Sequence, residues 1–462
     1  MALEVSWAQE ELGSTKLGDK RLTKRLVKMV EQFEGQPFAS IPQACRSWAN
    51  TEAAYDFFNN DKVEVQRILE AHRAMTLERM AGHRTVLALQ DSVMLNYTSH
   101  RTTAGLGRIG TEDQQQKGLV MHTTEAVTPE GVPLGLLDTQ IWAREAEEGG
   151  SKAYRKTRVI EEKESNKWLK ALRRSIQDLP EGVQLVNICD REGDIYEFFD
   201  LARRLHAKMV VRAAQDRKVE GASTRLWATL HARPIVGTVQ IHIPARDNQP
   251  ARDALLAVRF ARVVLTPPLR PRHPGRKKLR RLRIWAVLTT EISPPPGAPP
   301  ISWMLLTNVP VRSFQHACER LAWYAQRWKI EVFFDLLENG CKVEDRRLRT
   351  AERLKRCITV YAIVAVRLQR MTFLARQEPN ASCLLVLSID EWQTLYCYIH
   401  KTSQLPAQPP TLHQAMRWIA QLGGFLGRKS DGEPGIRTVW RGWQRLQDMV
   451  AMWRVLHPQT YE

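Results

Sequence analysis

The chain has 462 residues, of which 43% are hydrophobic and 26% charged. This is the composition of a folded globular protein, and it excludes wholesale disorder. The 68 lysines and arginines outnumber the 50 aspartates and glutamates and give a formal net charge of +18. An excess of this size predicts a polyanionic partner that is bound through its phosphates.

The N-terminus, the apolar runs and the cysteines predict a cytoplasmic protein with no membrane partner. No basic segment followed by an apolar block opens the chain, so we expect no secretory signal. The longest apolar run, residues 358–366, is far shorter than the roughly 20 residues that a membrane span needs. The seven cysteines are scattered and never spaced C-x-x-C, which argues against a zinc site or a disulfide framework.

Helical periodicity dominates the first 82 residues. Apolar residues recur at three- and four-residue steps between residues 17 and 33, and the opposite face carries Lys20, Arg21 and Lys24. Two further short helices are predicted, one near Pro42 and one beginning at Asn50. A compact helical domain with a basic face suits binding to the DNA backbone, or a variant of the helix-turn-helix.

The pattern from residue 83 onward predicts a mixed sheet covered by helices. Asp91 closes one apolar run and Asp190 closes another, and a hairpin signal and a helix lie between them. Alternating segments with Pro-rich turns then predict a β insertion at about residues 205–311. This segment contains a strongly basic loop, which includes Arg276, Lys277 and Lys278. We expect the loop to face nucleic acid rather than only solvent.

The chemistry is predicted from three acidic residues. Two aspartates at strand ends meet only if their strands are neighbours in one sheet, and the chain between Asp91 and Asp190 is long enough to allow this. In the predicted helix after residue 312, Tyr324, Arg327 and Glu331 share one face. Two aspartates and a glutamate are ligands for two hard divalent cations in a phosphoryl-transfer site. Each alone is also typical of a turn residue or a surface ion pair.

Two motifs resemble those of a known family. Asp190-Arg-Glu-Gly-Asp-Ile195 and Tyr324-x-x-Arg327-x-x-x-Glu331 are similar to the signatures of DDE transposases of the bacterial insertion-sequence-four group. Shorter stretches at residues 17–22, 162–168, 303–307 and 422–425 are similar as well, so the resemblance extends through essentially the whole chain.

The resemblance implies an α/β protein with a ribonuclease-H-like mixed-sheet catalytic core and a β-strand insertion, flanked by N- and C-terminal helical domains. Residues 1–82 would bind the transposon end, residues 83–368 would form the core, and residues 369–462 would hold a homodimer in the synaptic complex. The implied activity is cut-and-paste transposition by a metal-dependent endonuclease of an insertion sequence. The implied DNA partners are terminal inverted repeats and target DNA in the bacterial nucleoid.

The resemblance also assigns roles to residues. Asp91, Asp190 and Glu331 would be the catalytic metal ligands for two Mg²⁺, or Mn²⁺, per active site. Tyr324 and Arg327 would contact phosphates of the transposon end, and Trp303 would stack on a flipped base during hairpin formation. Arg212 is a further expected DNA contact, beside the basic residues named above.

One position departs from the family pattern. A lysine or arginine commonly stands seven residues after the catalytic glutamate, where this chain has Glu338. A carboxylate near DNA phosphates weakens binding. Two alternatives to a transposase stay open: a metal-dependent nuclease of the same fold and, because of Glu338, a catalytically impaired DNA-binding regulator.

Overall fold

The protein is a mixed α/β structure with helical regions at both ends of one large sheet. This is the fold class predicted from the sequence. The computed structural model describes residues 5–110, 114–145, 158–221, 225–243, 252–269, 278–295 and 300–457.

The N-terminal region contains short helices around a shared apolar core. In the second helix, Leu26, Val30 and Phe33 are buried, whereas Lys20 and Lys24 on the opposite face are exposed. The fourth helix begins earlier than predicted, because the Ser47 hydroxyl accepts from the Asn50 N–H and caps it. The helices are α1 (Trp7–Leu12), α2 (Lys20–Gly35), α3 (Ile41–Cys45), α4 (Trp48–Asn59) and α5 (Val65–Met80).

The described residues form one sheet of ten strands, in the order β2-β3-β1-β5-β6-β10-β9-β8-β7, with β4 paired to β3. β1 and β6 run parallel to β5 on its two sides, and the other pairs are antiparallel. The strands are β1 (Thr85–Asn96), β2 (Gly107–Arg108), β3 (Lys117–Val127), β4 (Pro133–Trp142), β5 (Gln184–Cys189), β6 (Lys208–Arg212), β7 (Gly237–Ile243), β8 (Arg252–Leu265), β9 (Leu282–Glu291) and β10 (Ser302–Thr307).

The strands of the predicted β insertion continue the central sheet. β10 pairs with β6 through Leu305 and Arg212, and β9, β8 and β7 follow it outward. The segment therefore extends one edge of the core sheet. Three helices are associated with this half of the protein, namely α6 (Asn166–Ser175), α7 (Tyr196–Arg204) and α8 (Leu226–His231).

The C-terminal half is helical, and its longest helix is central to the core. This helix, α11 (Ala351–Gln377), is long and apolar enough to cross a membrane by length and composition, but 89% of its most apolar window is buried inside the protein. Trp443 on the last helix donates its indole N–H to the carbonyl of Glu34 on α2, at 2.9 Å. The helices are α9 (Phe314–Ala325), α10 (Trp328–Asp335), α11, α12 (Ile389–His400), α13 (Leu412–Leu422) and α14 (Ile436–Leu456).

Candidate active site

Asp91 and Asp190 are brought together by the parallel pairing of β1 and β5. The register runs from Thr85 opposite Gln184 to Gln90 opposite Cys189, so each aspartate is the next residue beyond the paired segment. Asp91 was expected at a strand end but lies inside β1, which continues to Asn96 along β3. It is only the partner strand β5 that ends there.

Strand alternation turns both aspartates toward the same face of the sheet. Leu87 and Leu89 on β1 belong to the core cluster that contains Ile330 of α10, and so do Val186 and Ile188 on β5. Side chains two residues apart share a face. Asp91 and Asp190 therefore face the side that α10 covers.

Arg327 and Glu331 meet Asp91 at this face. Arg327 immediately precedes α10, and its guanidinium donates to Asp91 Oδ2 at 2.9 Å and to Glu331 Oε1 at 2.5 Å. Asp91 Oδ1 accepts from the Ser92 N–H at 2.8 Å, and Asp190 Oδ1 accepts from the Glu192 N–H at 2.8 Å. One guanidinium thus bridges two of the three acidic residues predicted from the sequence.

The charge at the site is predominantly negative. Burial, together with the carboxylates of Asp190 and Glu331, raises the pKa of Asp91 to about 6, although the Ser92 N–H and Arg327 act in the opposite direction. Across the described residues, no three His, Cys, Asp or Glu side chains converge closely enough to hold a metal ion. The acidic residues are neighbours, but in this conformation their shared cation is Arg327.

Tyr324, Arg212 and Trp303 form a second group next to the carboxylates. Tyr324 is buried beside Arg212, whose guanidinium donates to the carbonyl of Ser302 at 3.2 Å. The half-buried ring of Trp303 packs edge-on against Tyr324 with centroids 5.4 Å apart. Tyr324 thus packs against Trp303 beside Arg212, and its contact with DNA phosphates stays a prediction.

A buried polar network on the opposite face of the sheet holds β1 and β5 in register. Gln90 Nε2 donates to Asn187 Oδ1 at 2.8 Å, and the Ser175 hydroxyl of α6 donates to the same oxygen at 3.0 Å. Asn187 Nδ2 in turn donates to the Lys208 carbonyl of β6 at 3.3 Å. The sequence analysis did not identify these residues. The pattern that could have indicated them is a polar residue inside each of two apolar runs, Gln90 in one and Asn187 in the other.

Asp194, which belongs to the Asp190–Ile195 motif, fixes the loop that follows Arg212. Its carboxylate accepts from the N–H groups of Ala214 and Gln215, both at 2.7 Å, and pairs with Arg217. The Asp194 side chain is fully buried in this pair. The motif therefore supplies both an acidic residue at the candidate site and an anchor for the strand that carries Arg212.

Glu338 lies in a short π-helical turn, Leu336–Gly340, that follows α10 directly. Its side chain is half-buried, and burial together with Glu344 and Asp335 raises its pKa to about 7. Asp335 is paired with Arg437 of α14. The position where the family commonly has a cation is thus surrounded by acidic groups.

The predicted DNA-contacting lysines and arginines are distant from one another in the chain. Lys20, Arg21 and Lys24 are exposed on α2, where Arg21 pairs with Asp19 at 2.9 Å. Lys278 is exposed just before β9. Arg276 and Lys277 lie outside the described residues.

Comparison with known families identifies both ends of the chain. Residues 4–63 match the family model described as Transposase DNA-binding. Residues 363–458 match the model described as Transposase Tn5 dimerisation domain. Together with the mixed sheet between them, these matches define a transposase with a DNA-binding region at one end and a dimerisation region at the other.

The two matches support a Tn5-like transposase, with DNA as its partner and with dimer formation. The matched segments cover α1 to α4 and the helices from the middle of α11 to α14, so they leave the acidic site between them unmatched.

Proposed function

We propose that this chain is a cut-and-paste DNA transposase. It nicks DNA at the transposon end, directs the freed 3′-hydroxyl onto the opposite strand to form a hairpin, opens the hairpin, and transfers the end to target DNA. The observation that supports this most is that Asp91 and Asp190 follow the paired segment of adjacent strands β1 and β5, while Arg327 joins Asp91 to Glu331 beside them.

The donor set fits divalent metal ions in its chemistry. Carboxylate oxygens are hard ligands of the kind that Mg²⁺ and Mn²⁺ prefer, and Asp91, Asp190 and Glu331 would hold two such ions. When bound, the ions lower the barrier to phosphoryl transfer by stabilising charge on the attacking and leaving oxygens.

The remaining side chains bind and orient DNA. Arg327 and Arg212 would donate to phosphate oxygens, for which a guanidinium is the best bidentate donor in proteins. The partly exposed ring of Trp303 offers a stacking surface for an unpaired base. Lys20, Arg21 and Lys24 on α2 bind the duplex backbone at the transposon end, and two copies of the chain form the synaptic complex.

The test is an assay of the full chain on a linear duplex that carries the cognate end, identified from inverted repeats flanking the gene. Hairpin and joined products are expected with Mg²⁺, and Asp190→Ala serves as the matched inactive control. Nicking without hairpins would instead indicate a nuclease of the same fold. Binding without any cleavage would indicate a regulator.

The regulator is the second candidate function because of Glu338. Its carboxylate lies on the π-helical extension of the helix that carries Glu331, close to Asp335 and Glu344, where it would repel a DNA strand. Glu338→Lys reverses this charge. If the chain has lost activity through Glu338, hairpin yield should be absent in the wild type and appear in the variant.

A further inference from the structure

Arg327 makes contacts that a DNA-binding arginine does not require. Its side chain is only 19% exposed, and its guanidinium bridges Asp91 Oδ2 and Glu331 Oε1. The second oxygen of Asp91 is already engaged by the Ser92 N–H. Both oxygens of Asp91 are therefore occupied by hydrogen-bond donors.

The bridge competes directly with a metal ion. Arginine stays protonated in proteins, so its charge cannot be removed by loss of a proton. A dication approaching Asp91 and Glu331 would meet a fixed positive charge and two carboxylate oxygens whose lone pairs already accept N–H bonds. The ion can bind fully only if the guanidinium leaves.

A DNA phosphate is the partner that can draw the guanidinium away. An arginine that moves from these two carboxylates to a phosphate still has anionic oxygens to donate to, so its charge stays compensated. Arg212 and Trp303 lie next to Tyr324, and Tyr324 is three residues before Arg327 in the chain. Both residues are therefore close to the acidic site. A DNA end bound against them would present its phosphate within the same group of side chains.

We propose that Arg327 is an internal counter-ion that keeps metal ions out of the acidic site until a DNA phosphate takes over its guanidinium, so that metal loading depends on a bound DNA end. This rests on the proposed function, since it assumes that Asp91 and Glu331 are metal ligands. It gives Arg327 two successive partners. One is the acidic pair in the free protein, and the other is the DNA end in the complex.

The experiment measures Mn²⁺ binding to the full chain by electron paramagnetic resonance, without DNA and with a duplex end. Without DNA, the wild type should bind Mn²⁺ weakly, and Arg327→Gln should bind it at least about tenfold more tightly because the competing charge is gone. Arg312→Gln removes an exposed arginine at the start of α9 and should behave as the wild type. Adding Asp91→Asn to Arg327→Gln should abolish the gain, which locates the ion.

Thermal unfolding gives a second readout. Without metal, Arg327→Gln should melt below the wild type because its carboxylates repel one another, and Mn²⁺ should restore the melting temperature. Arg327→Lys, which keeps the charge but loses the two-armed bridge, should show a smaller gain in Mn²⁺ affinity. Arg327→Lys replaces Arg327→Gln in the experiment if the glutamine variant does not fold.

The outcomes separate this proposal from the proposed function. Asp91-dependent Mn²⁺ binding that is equally tight in the wild type with and without DNA would overturn the counter-ion role and leave the transposase proposal intact. The counter-ion role would also be overturned if neither Arg327 variant bound Mn²⁺ more tightly than the wild type without DNA. If no Asp91-dependent Mn²⁺ is bound in any variant, even with DNA, the acidic site is not a metal site and both proposals fail.

Discussion

Glu338 is expected to destabilise the folded protein at neutral and alkaline pH, and Glu338→Gln should remove this effect. Folding raises the pKa of this carboxyl from its ordinary value of 4.5 to about 7, through burial and through Glu344 and Asp335. The folded state therefore keeps the proton to higher pH than the unfolded chain does. Stability contributed by the protonated group is present below about pH 4.5 and is lost as the pH rises toward 7.

The size of the effect follows from the shift. At about 1.4 kcal/mol per pKa unit, the upper limit is about 3 kcal/mol. The side chain is only half-buried, and screening by solvent reduces the expected gain of the glutamine variant to ~1–2 kcal/mol at pH 8. Below about pH 4.5 the variant and the wild type should have similar stability, since both side chains are then neutral.

Urea unfolding followed by circular dichroism, at pH 8 and again at the lowest pH at which the protein stays folded, measures this difference as a shift in the transition midpoint. Glu130→Gln is the matched control, because Glu130 is exposed in the turn between β3 and β4. The reasoning is refuted if Glu338→Gln gives no gain at pH 8. An equal gain at both pH values would also refute it, since the benefit would then not come from the carboxylate charge.

Three further sets of substitutions test the acidic site, the basic face of α2 and the Asp194 ion pair. Asp91→Ala, Asp190→Ala and Glu331→Ala should each abolish nicking and hairpin formation yet leave end binding largely intact, and a variant that nicks at the wild-type rate would remove its residue from the site. Changing Lys20, Arg21 and Lys24 to glutamine should lower the slope of log affinity against log salt by about 0.9 for each phosphate that the variant no longer neutralises, whereas an unchanged slope would exclude α2 from the interface. Asp194→Ala leaves Arg217 and two N–H groups without their buried acceptor and should cost about 3–5 kcal/mol of unfolding free energy; a decrease below about 1 kcal/mol, measured in urea, would contradict the role of this ion pair.

The sequence by itself determined the features that depend on local periodicity. The apolar runs before Asp91 and Asp190 are β1 and β5, and the three- and four-residue repeat from residue 17 is α2 with its exposed Lys20. Such patterns are readable because one buried face imposes its period on the residue types along it. The Asp190–Ile195 motif and the Tyr324-x-x-Arg327-x-x-x-Glu331 motif carried the family resemblance as well.

Only the tertiary structure decided how these pieces meet. That Asp91 lies inside a strand follows from β3 extending farther than β5 beside β1, which no local pattern records. Arg327 bridges Asp91 and Glu331 because the fold brings Asp91, which is distant in sequence, next to it. Glu338 is half-buried among acidic groups because of the packing around the π-helical turn. Which partner a charged side chain pairs with depends on its desolvation and on its distance from that partner in the folded protein. Long-range packing sets both quantities, and the neighbouring residues in the chain do not.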